Sequence, residues 1–175
     1  INYAVHHCLS AVLAYLLAPY DYTQKQGSAM GVGYIFVGII GSIIFARQLD
    51  INRNYLKVLR IVCFGAVVVW TLGIWALPSN NVPILALGEM LAGFFTIPII
   101  PVGYQFGIEI SYPAGEAMSN GVFSFMVQIV SLIVTYIGTS LCTDETSVPC
   151  LVFIVGLLSV SAIFSLFVKE DLRRT

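Results

Sequence analysis

Gly103-Tyr104-Gln105-Phe106-Gly107-Ile108-Glu109-Ile110-Ser111-Tyr112-Pro113-Ala114-Gly115-Glu116-Ala117-Met118-Ser119-Asn120-Gly121 is the polar break between two long apolar runs. The run before it covers residues 82–107 and the run after it residues 119–141. A helix of about 20 mainly apolar residues, rising 1.5 Å each, crosses the hydrocarbon core of a bilayer. A connection this short folds the two runs into an antiparallel hairpin and leaves Glu109 and Glu116 at one membrane surface.

The rest of the chain agrees. It is 58% hydrophobic and only 10% charged, with a mean hydropathy of +0.92. A soluble domain carries about 25% charged residues, so this inventory cannot build a water-facing surface, and the lipid bilayer is the expected partner. The net charge of −1 is uninformative; the distribution of charge is what matters. No nucleic-acid partner is expected. The chain lacks an initiator Met and a signal-peptide pattern, and its first residue already lies in an apolar run. It is therefore expected to be a piece of a longer chain.

Six spans emerge, over residues 1–17, 28–46, 58–77, 82–107, 119–141 and 149–168. The expected fold class is all-α, a polytopic membrane bundle. The fourth span contains Pro98 and Pro101, which cannot donate backbone hydrogen bonds and should kink or break it. Arg47, Arg53, Lys57 and Arg60 cluster around the second connection, and Lys169, Arg173 and Arg174 follow the last span. Six spans bring these seven to one face, with Lys25 alone on the other. That asymmetry places both ends of the bundle in the cytoplasm. Tyr20, Tyr22, Tyr55 and Trp75 stand near span ends, as interfacial aromatics do.

Three motifs carry a resemblance. The stretch Glu109-Ile110-Ser111-Tyr112-Pro113, then Glu116, then Ser119-Asn120-Gly121, is similar to the Glu-Ile-Thr-Tyr-Pro…Glu-Gly-Thr-Ser-x-Gly segment of the feline leukaemia virus subgroup C receptor family of major-facilitator transporters. Gly41-Ser42-Ile43-Ile44 with Leu49-Asp50 resembles that family's loop between its eighth and ninth helices. Val168-Lys169-Glu170-Asp171-Leu172-Arg173-Arg174 resembles its ending. Ala46 replaces a Gly of the loop motif, and Ala117-Met118 replaces Gly-Thr. The resemblance implies that residues 1–175 are the C-terminal six-helix half of a major-facilitator fold, helices seven to twelve, with the N-terminal half missing. It also implies a solute carrier working by alternating access on choline or a related amine, with haem as the family's earlier assignment. Two rivals stand beside it: a carrier of another organic solute, and a receptor-like scaffold or membrane subunit that transports nothing.

The candidate substrate-binding residues lie on the fifth and first spans. Asn120, Ser124, Gln128, Ser131 and Thr135 fall within roughly an 80° arc of one helix face at about 100° per residue. Such a stripe lines an aqueous path or bonds neighbouring helices, and small hydroxyl residues are ordinary helix-contact glue. Gln128, with two donors and two acceptors near mid-span, is hard for one helix contact to satisfy. The resemblance also sets it on the family's headgroup-binding glutamine. On the first span, Asn2, His6, His7 and Ser10 are polar. The resemblance places His7 where the family has a Tyr of its aromatic choline cage. A neutral imidazole is a weaker cation–π face than a phenol, and a protonated one repels a cation. This departure leaves room for another amine or for pH sensitivity.

Other residues are candidates for coupling or gating. Glu89 lies about seven residues inside the fourth span's outer end, and intramembrane acids are costly and usually functional; an interfacial or bundle-buried structural role is the alternative. Glu109 and Glu116 on one inner loop, with Asp50, Arg53 and Lys57 on the next, could latch one transport state by ion pairs that break as the bundles rock. A solvated loop is the alternative. Pro113 is expected to open the fifth span's first turn, and the GxxxG of Gly27 and Gly31 to let helices approach closely. Cys142 and Cys150 flank outer residues 143–149, on the oxidising side in a plasma-membrane protein, where a disulfide is geometrically possible. No CxxC, P-loop, GxSxG or HExxH occurs, so no enzyme, cofactor or metal site is expected.

The charge asymmetry makes a topological prediction. In intact cells, an impermeant thiol reagent should label a cysteine placed at Lys25 and spare one placed at Thr175. Labelling of 175 with protection of 25 would invert the topology.

Overall fold

Pro98 decides how the longest apolar run folds. In the computed structural model, which describes residues 1–20, 22–52, 54–79, 81–111, 113–142 and 146–168, helix α4 (Val82–Thr96) stops at a turn over Ile97 and Pro98. Helix α5 (Ile99–Ser111) then restarts. A proline nitrogen at 98 cannot bond the Phe94 carbonyl. The chain restarts by Ile100 N–H donating to Ile97 O at 3.0 Å and Val102 N–H to Pro98 O at 3.2 Å. Pro101 does no further damage, because in the first turn of α5 its missing N–H would have lacked a helical partner anyway.

The remaining elements are α1 (Asn2–Leu17), α2 (Gln24–Asn52), α3 (Tyr55–Ala76), α6 (Glu116–Leu141) and α7 (Val148–Phe167), with short 3-10 turns at Ala18–Tyr20 and Leu77–Ser79. The protein is all-α, as expected. Five helical stretches are long and apolar enough to cross a membrane among the described residues, α4 and α5 counting together as Val82–Ser111. The first span is shorter: α1 has 16 residues, about 24 Å. It is nonetheless packed inside the bundle, with Ala4, Val5, Cys8 and Val12 at 0 to 1% exposure. Arg53, Tyr112, the loop residues 143–145 and the tail with Lys169, Arg173 and Arg174 lie outside the described residues.

Helix ends depart from the hydropathy boundaries for local reasons. Thr23 and Gln26 form a reciprocal capping box, Gln26 N–H to Thr23 Oγ1 at 3.4 Å and Thr23 N–H to Gln26 Oε1 at 2.8 Å. This satisfies two donors and starts α2 four residues before the apolar run. Pro113 does not open α6. The chain turns there, with Ala114 N–H donating to Ser111 O at 2.9 Å, and Gly115 is the N-cap. The prolines that do open helices are those in the first turns of α4 and α7. Where α3 begins and α7 ends, Arg60 on α3 donates to the Ser165, Leu166 and Val168 carbonyls at 3.2, 3.3 and 3.4 Å. It supplies the C-terminus of α7 with both donors and a compensating positive charge.

The helices pair with internal symmetry. The closest packings are α2 with α4, α1 with α6, and α3 with α7. Exchanging α1 for α4–α5, α2 for α6 and α3 for α7 maps the first packing onto the second and the third onto itself. That is the relation expected of two three-helix repeats.

The tightest crossing is made by glycines other than the expected GxxxG pair. A Cβ on Gly93 would overlap the Tyr34 carbonyl, and one on Gly38 would stand 2.9 Å from the Gly93 carbonyl. A Cβ on Gly41 would stand 2.5 Å from the Phe94 carbonyl that Pro98 leaves free. Gly27 and Gly31 instead face only the Leu17 and Leu13 side chains, at 3.0 and 3.5 Å. Gly93→Ala should therefore destabilise the bundle by about 1–3 kcal/mol, the usual cost of overpacking against backbone. Gly31→Ala should be nearly neutral, and thermal unfolding in detergent distinguishes the two.

Candidate functional site

Toward the starts of α1 and α6, where α5 crosses them, α1, α5 and α6 bring four side chains into a line. Tyr3 and His7 are one turn apart on α1, and their rings lie 4.8 Å apart at 34°. Tyr3 meets Tyr104 of α5 edge-on, at 6.0 Å and 76°. The Tyr104 hydroxyl then shares a 2.7 Å hydrogen bond with Ser124 Oγ on α6. Beside this line is a cavity of about 210 Å³ whose walls include Asn2, Tyr3, Gly103, Tyr104, Phe123 and Val127. The crossing of α5 with α6 is close because Gly107 has no side chain; a Cβ there would meet the Phe123 ring at 2.5 Å.

The stripe on α6 stands at the margin of that helix's packed face. Ser131 is buried and Asn120 half-buried, and the Ser131 hydroxyl and Asn120 Oδ1 lack partners among the described residues. Thr135 is half-buried, whereas Ser124 and Gln128 are exposed. Gln128 thus holds the outermost edge of the arc, one turn from Ser124, at a helix position near mid-membrane. No other element of the described chain covers it.

The polar residues of α1 separate by role. His7 joins the aromatic line. His6 turns away to α2, where its Nδ1 lies 3.0 Å from the Tyr34 hydroxyl and its ring stacks on Tyr34 at 5.8 Å and 10°. Asn2 is buried and donates through Nδ2 to Ser161 Oγ at 2.6 Å and to Cys63 Sγ at 3.3 Å, tying α1 to α7 and α3. Tyr3 and Tyr104 escaped the sequence reading. Tyr3 had a usable signal, being four residues before His7 and so on the same face. Tyr104 sits in the opening stretch itself, but only the packing of α5 on α1 shows its neighbour.

The other candidates sit elsewhere. Asp50 is exposed near the end of α2, Glu109 is half-buried near the end of α5, and Glu116 is exposed in the first turn of α6. Arg53 lies outside the described residues. Cys142 and Cys150 are free thiols, half-buried and buried, close enough to interact with each other. Glu89 on α4 is half-buried and lines a different cavity from the one beside Tyr3 and Tyr104. Among the described residues no three His, Cys, Asp or Glu side chains could together hold a metal.

No family profile matches the chain, but curated proteins do. It is 25% identical over 175 residues to the choline/ethanolamine transporter FLVCR2 of Rattus norvegicus, covering 99% of this chain and 32% of the relative. It is 26% identical over 160 residues to the choline/ethanolamine transporter FLVCR1 of Mus musculus, covering 91% and 29%. A further match is an uncharacterized MFS-type transporter of Caenorhabditis elegans, C09D4.1, 24% identical over 176 residues and covering 99% and 30%. The chain spans about a third of the length of these relatives. It is a multi-pass membrane bundle that resembles these choline/ethanolamine transporters and forms one half of a major-facilitator fold.

The line from α1 to α6 gives a local prediction. Tyr104→Phe removes the hydroxyl that bonds Ser124, and because that bond lies at an exposed edge it should cost no more than about 1 kcal/mol of stability. Unfolding midpoints of Tyr104→Phe and Ser124→Ala, alone and combined, check this; a combined effect equal to the sum of the two would show no coupling.

Proposed function

We propose that this chain is the C-terminal half of a major-facilitator carrier that moves choline or a related small amine by alternating access. A second six-helix half supplies the opposite wall. The observation that carries this reading is the open mid-membrane arrangement of Tyr3, His7, Tyr104 and Ser124 with Gln128 uncovered beside it. A quaternary ammonium has no N–H to donate and is held by aromatic rings, while its polar tail needs an amide or hydroxyl. Those groups stand together here, and the similarity to proteins named for choline and ethanolamine supports the same chemistry. Asn120 extends the polar margin toward the inner side. In this reading the protein resides in the plasma membrane with its C-terminus in the cytoplasm. Asp50, Arg53, Glu109 and Glu116 then occupy the inner surface, where ion pairs to the other half latch the outward-open state.

Gln128→Ala in the full-length protein should lower the affinity for choline several-fold, since losing a polar contact to a bound headgroup costs about 1 kcal/mol or more. Uptake into proteoliposomes at matched protein density measures this, and unchanged kinetics would remove Gln128 from the site. His7→Tyr should act in the opposite sense. A phenol adds cation–π attraction of about 0.5–2 kcal/mol, so the Tyr variant should bind choline more tightly, by up to several-fold. A well-expressed variant with parental affinity would return His7 to a packing role.

A further inference from the structure

A second cavity, mostly apolar but bordered by one carboxylate, lies nearer the Val82 end of α4, between α1, α2, α3 and α4. It encloses about 140 Å³, and its walls include Ser10, Leu13, Gly31, Tyr34, Trp70 and Glu89. Glu89 is seven residues into α4, about 10 Å below that helix's outer end. Its carboxylate has no hydrogen-bond or ion-pair partner among the described residues; the ionisable group beside it is the Tyr34 phenol. The two ring systems are fixed. Trp70 donates its indole N–H to Thr96 Oγ1 at 3.3 Å, and the Tyr34 hydroxyl is engaged by His6 at 3.0 Å. They are 3% and 7% exposed, so neither has freedom to swing over the carboxylate.

Ser10, Leu13 and Gly31 also line a larger groove of about 400 Å³ between α1 and α2, which continues past Gly27 to Tyr22 and Gln24 at the outer end. The carboxylate cavity and this groove thus share three wall residues, none of which belongs to the Gln128 margin.

An unpaired carboxylate in a low-dielectric site is costly and calls for a cation. A small inorganic ion prefers a shell of several oxygens, and here one carboxylate and two hydroxyls stand among apolar atoms and rings. Aromatic walls with a single anionic pole match an organic ammonium. A cavity of about 150 Å³ accommodates a molecule of benzene's size, which sets the scale at a few heavy atoms. We propose that Glu89, Trp70 and Tyr34 form a binding site for a small alkylammonium ion, separate from the Gln128 locus and entered from the outer face through the α1–α2 groove.

Ser10, exposed and shared by groove and cavity, reports occupancy. In the full-length protein with other reactive cysteines replaced, Ser10→Cys is labelled from outside with N-ethylmaleimide, with and without tetramethylammonium. Tetramethylammonium should slow labelling several-fold, and Glu89→Gln should abolish that protection while leaving the unprotected rate unchanged. Trp70→Phe should retain most of the protection, and Trp70→Leu should weaken it roughly two- to fivefold. Gln128→Ala should leave protection at Ser10 intact, so failure of the central-site reading and failure of this one give different results. Absent protection in the Ser10→Cys parent, or equal protection with Glu89→Gln, would overturn the proposal.

Discussion

Backbone contact between α2 and α4 is the constraint on which the rest of the arrangement depends. Gly93 lies against the Tyr34 carbonyl, Gly38 against the Gly93 carbonyl, and Gly41 against the Phe94 carbonyl freed by Pro98. Within a bilayer, apolar side chains gain little from leaving lipid, so helices associate by close packing and by satisfying polar groups. Three glycines on one crossing provide the first. Glu89 stands one turn from the Gly93 contact, and the neighbouring α3–α4 packing brings Trp70 to Thr96, so the cavity beside Glu89 is bounded by both packings.

The symmetric counterpart of that crossing is α1 against α6. There Gly138 lies close to Cys8, whose Sγ a Cβ on Gly138 would approach to 2.8 Å. Nearer the start of both helices, Tyr104 of α5 stands between Tyr3 of α1 and Ser124 of α6, and Phe123 of α6 lines the same cavity. One repeat interface thus holds an aromatic line beside a cavity, and the other borders the Glu89 carboxylate.

Much of this was legible in the sequence, for physical reasons. The six apolar runs follow from the length needed to cross hydrocarbon, and the break of the fourth follows from Pro98 lacking an N–H. The α6 stripe was readable because a 3.6-residue period survives any packing. What escaped depends on neighbours. Hydropathy does not mark where a helix passes out of the membrane, so the capping box at Thr23 and Gln26 lengthened α2 unnoticed. Gly27 and Gly31 looked like a packing motif, but spacing does not say which helix lies opposite, and they border an open groove. Tyr3, Tyr104, Tyr34 and Trp70 took on meaning only when helices distant in sequence were placed side by side.

The central claim is that the Gln128 margin of α6 faces water shared with a second half of the transporter. It is tested most directly by placing cysteine at Gln128 and, for comparison, at Met126, a strongly exposed apolar position on the same helix. Each is reacted in membranes with a water-soluble, impermeant thiol reagent with and without choline. Rapid labelling at position 128, slowed by choline, and little labelling at 126 are expected. Equal, choline-insensitive behaviour at the two positions, or labelling of 128 only by a lipid-soluble reagent, would contradict it.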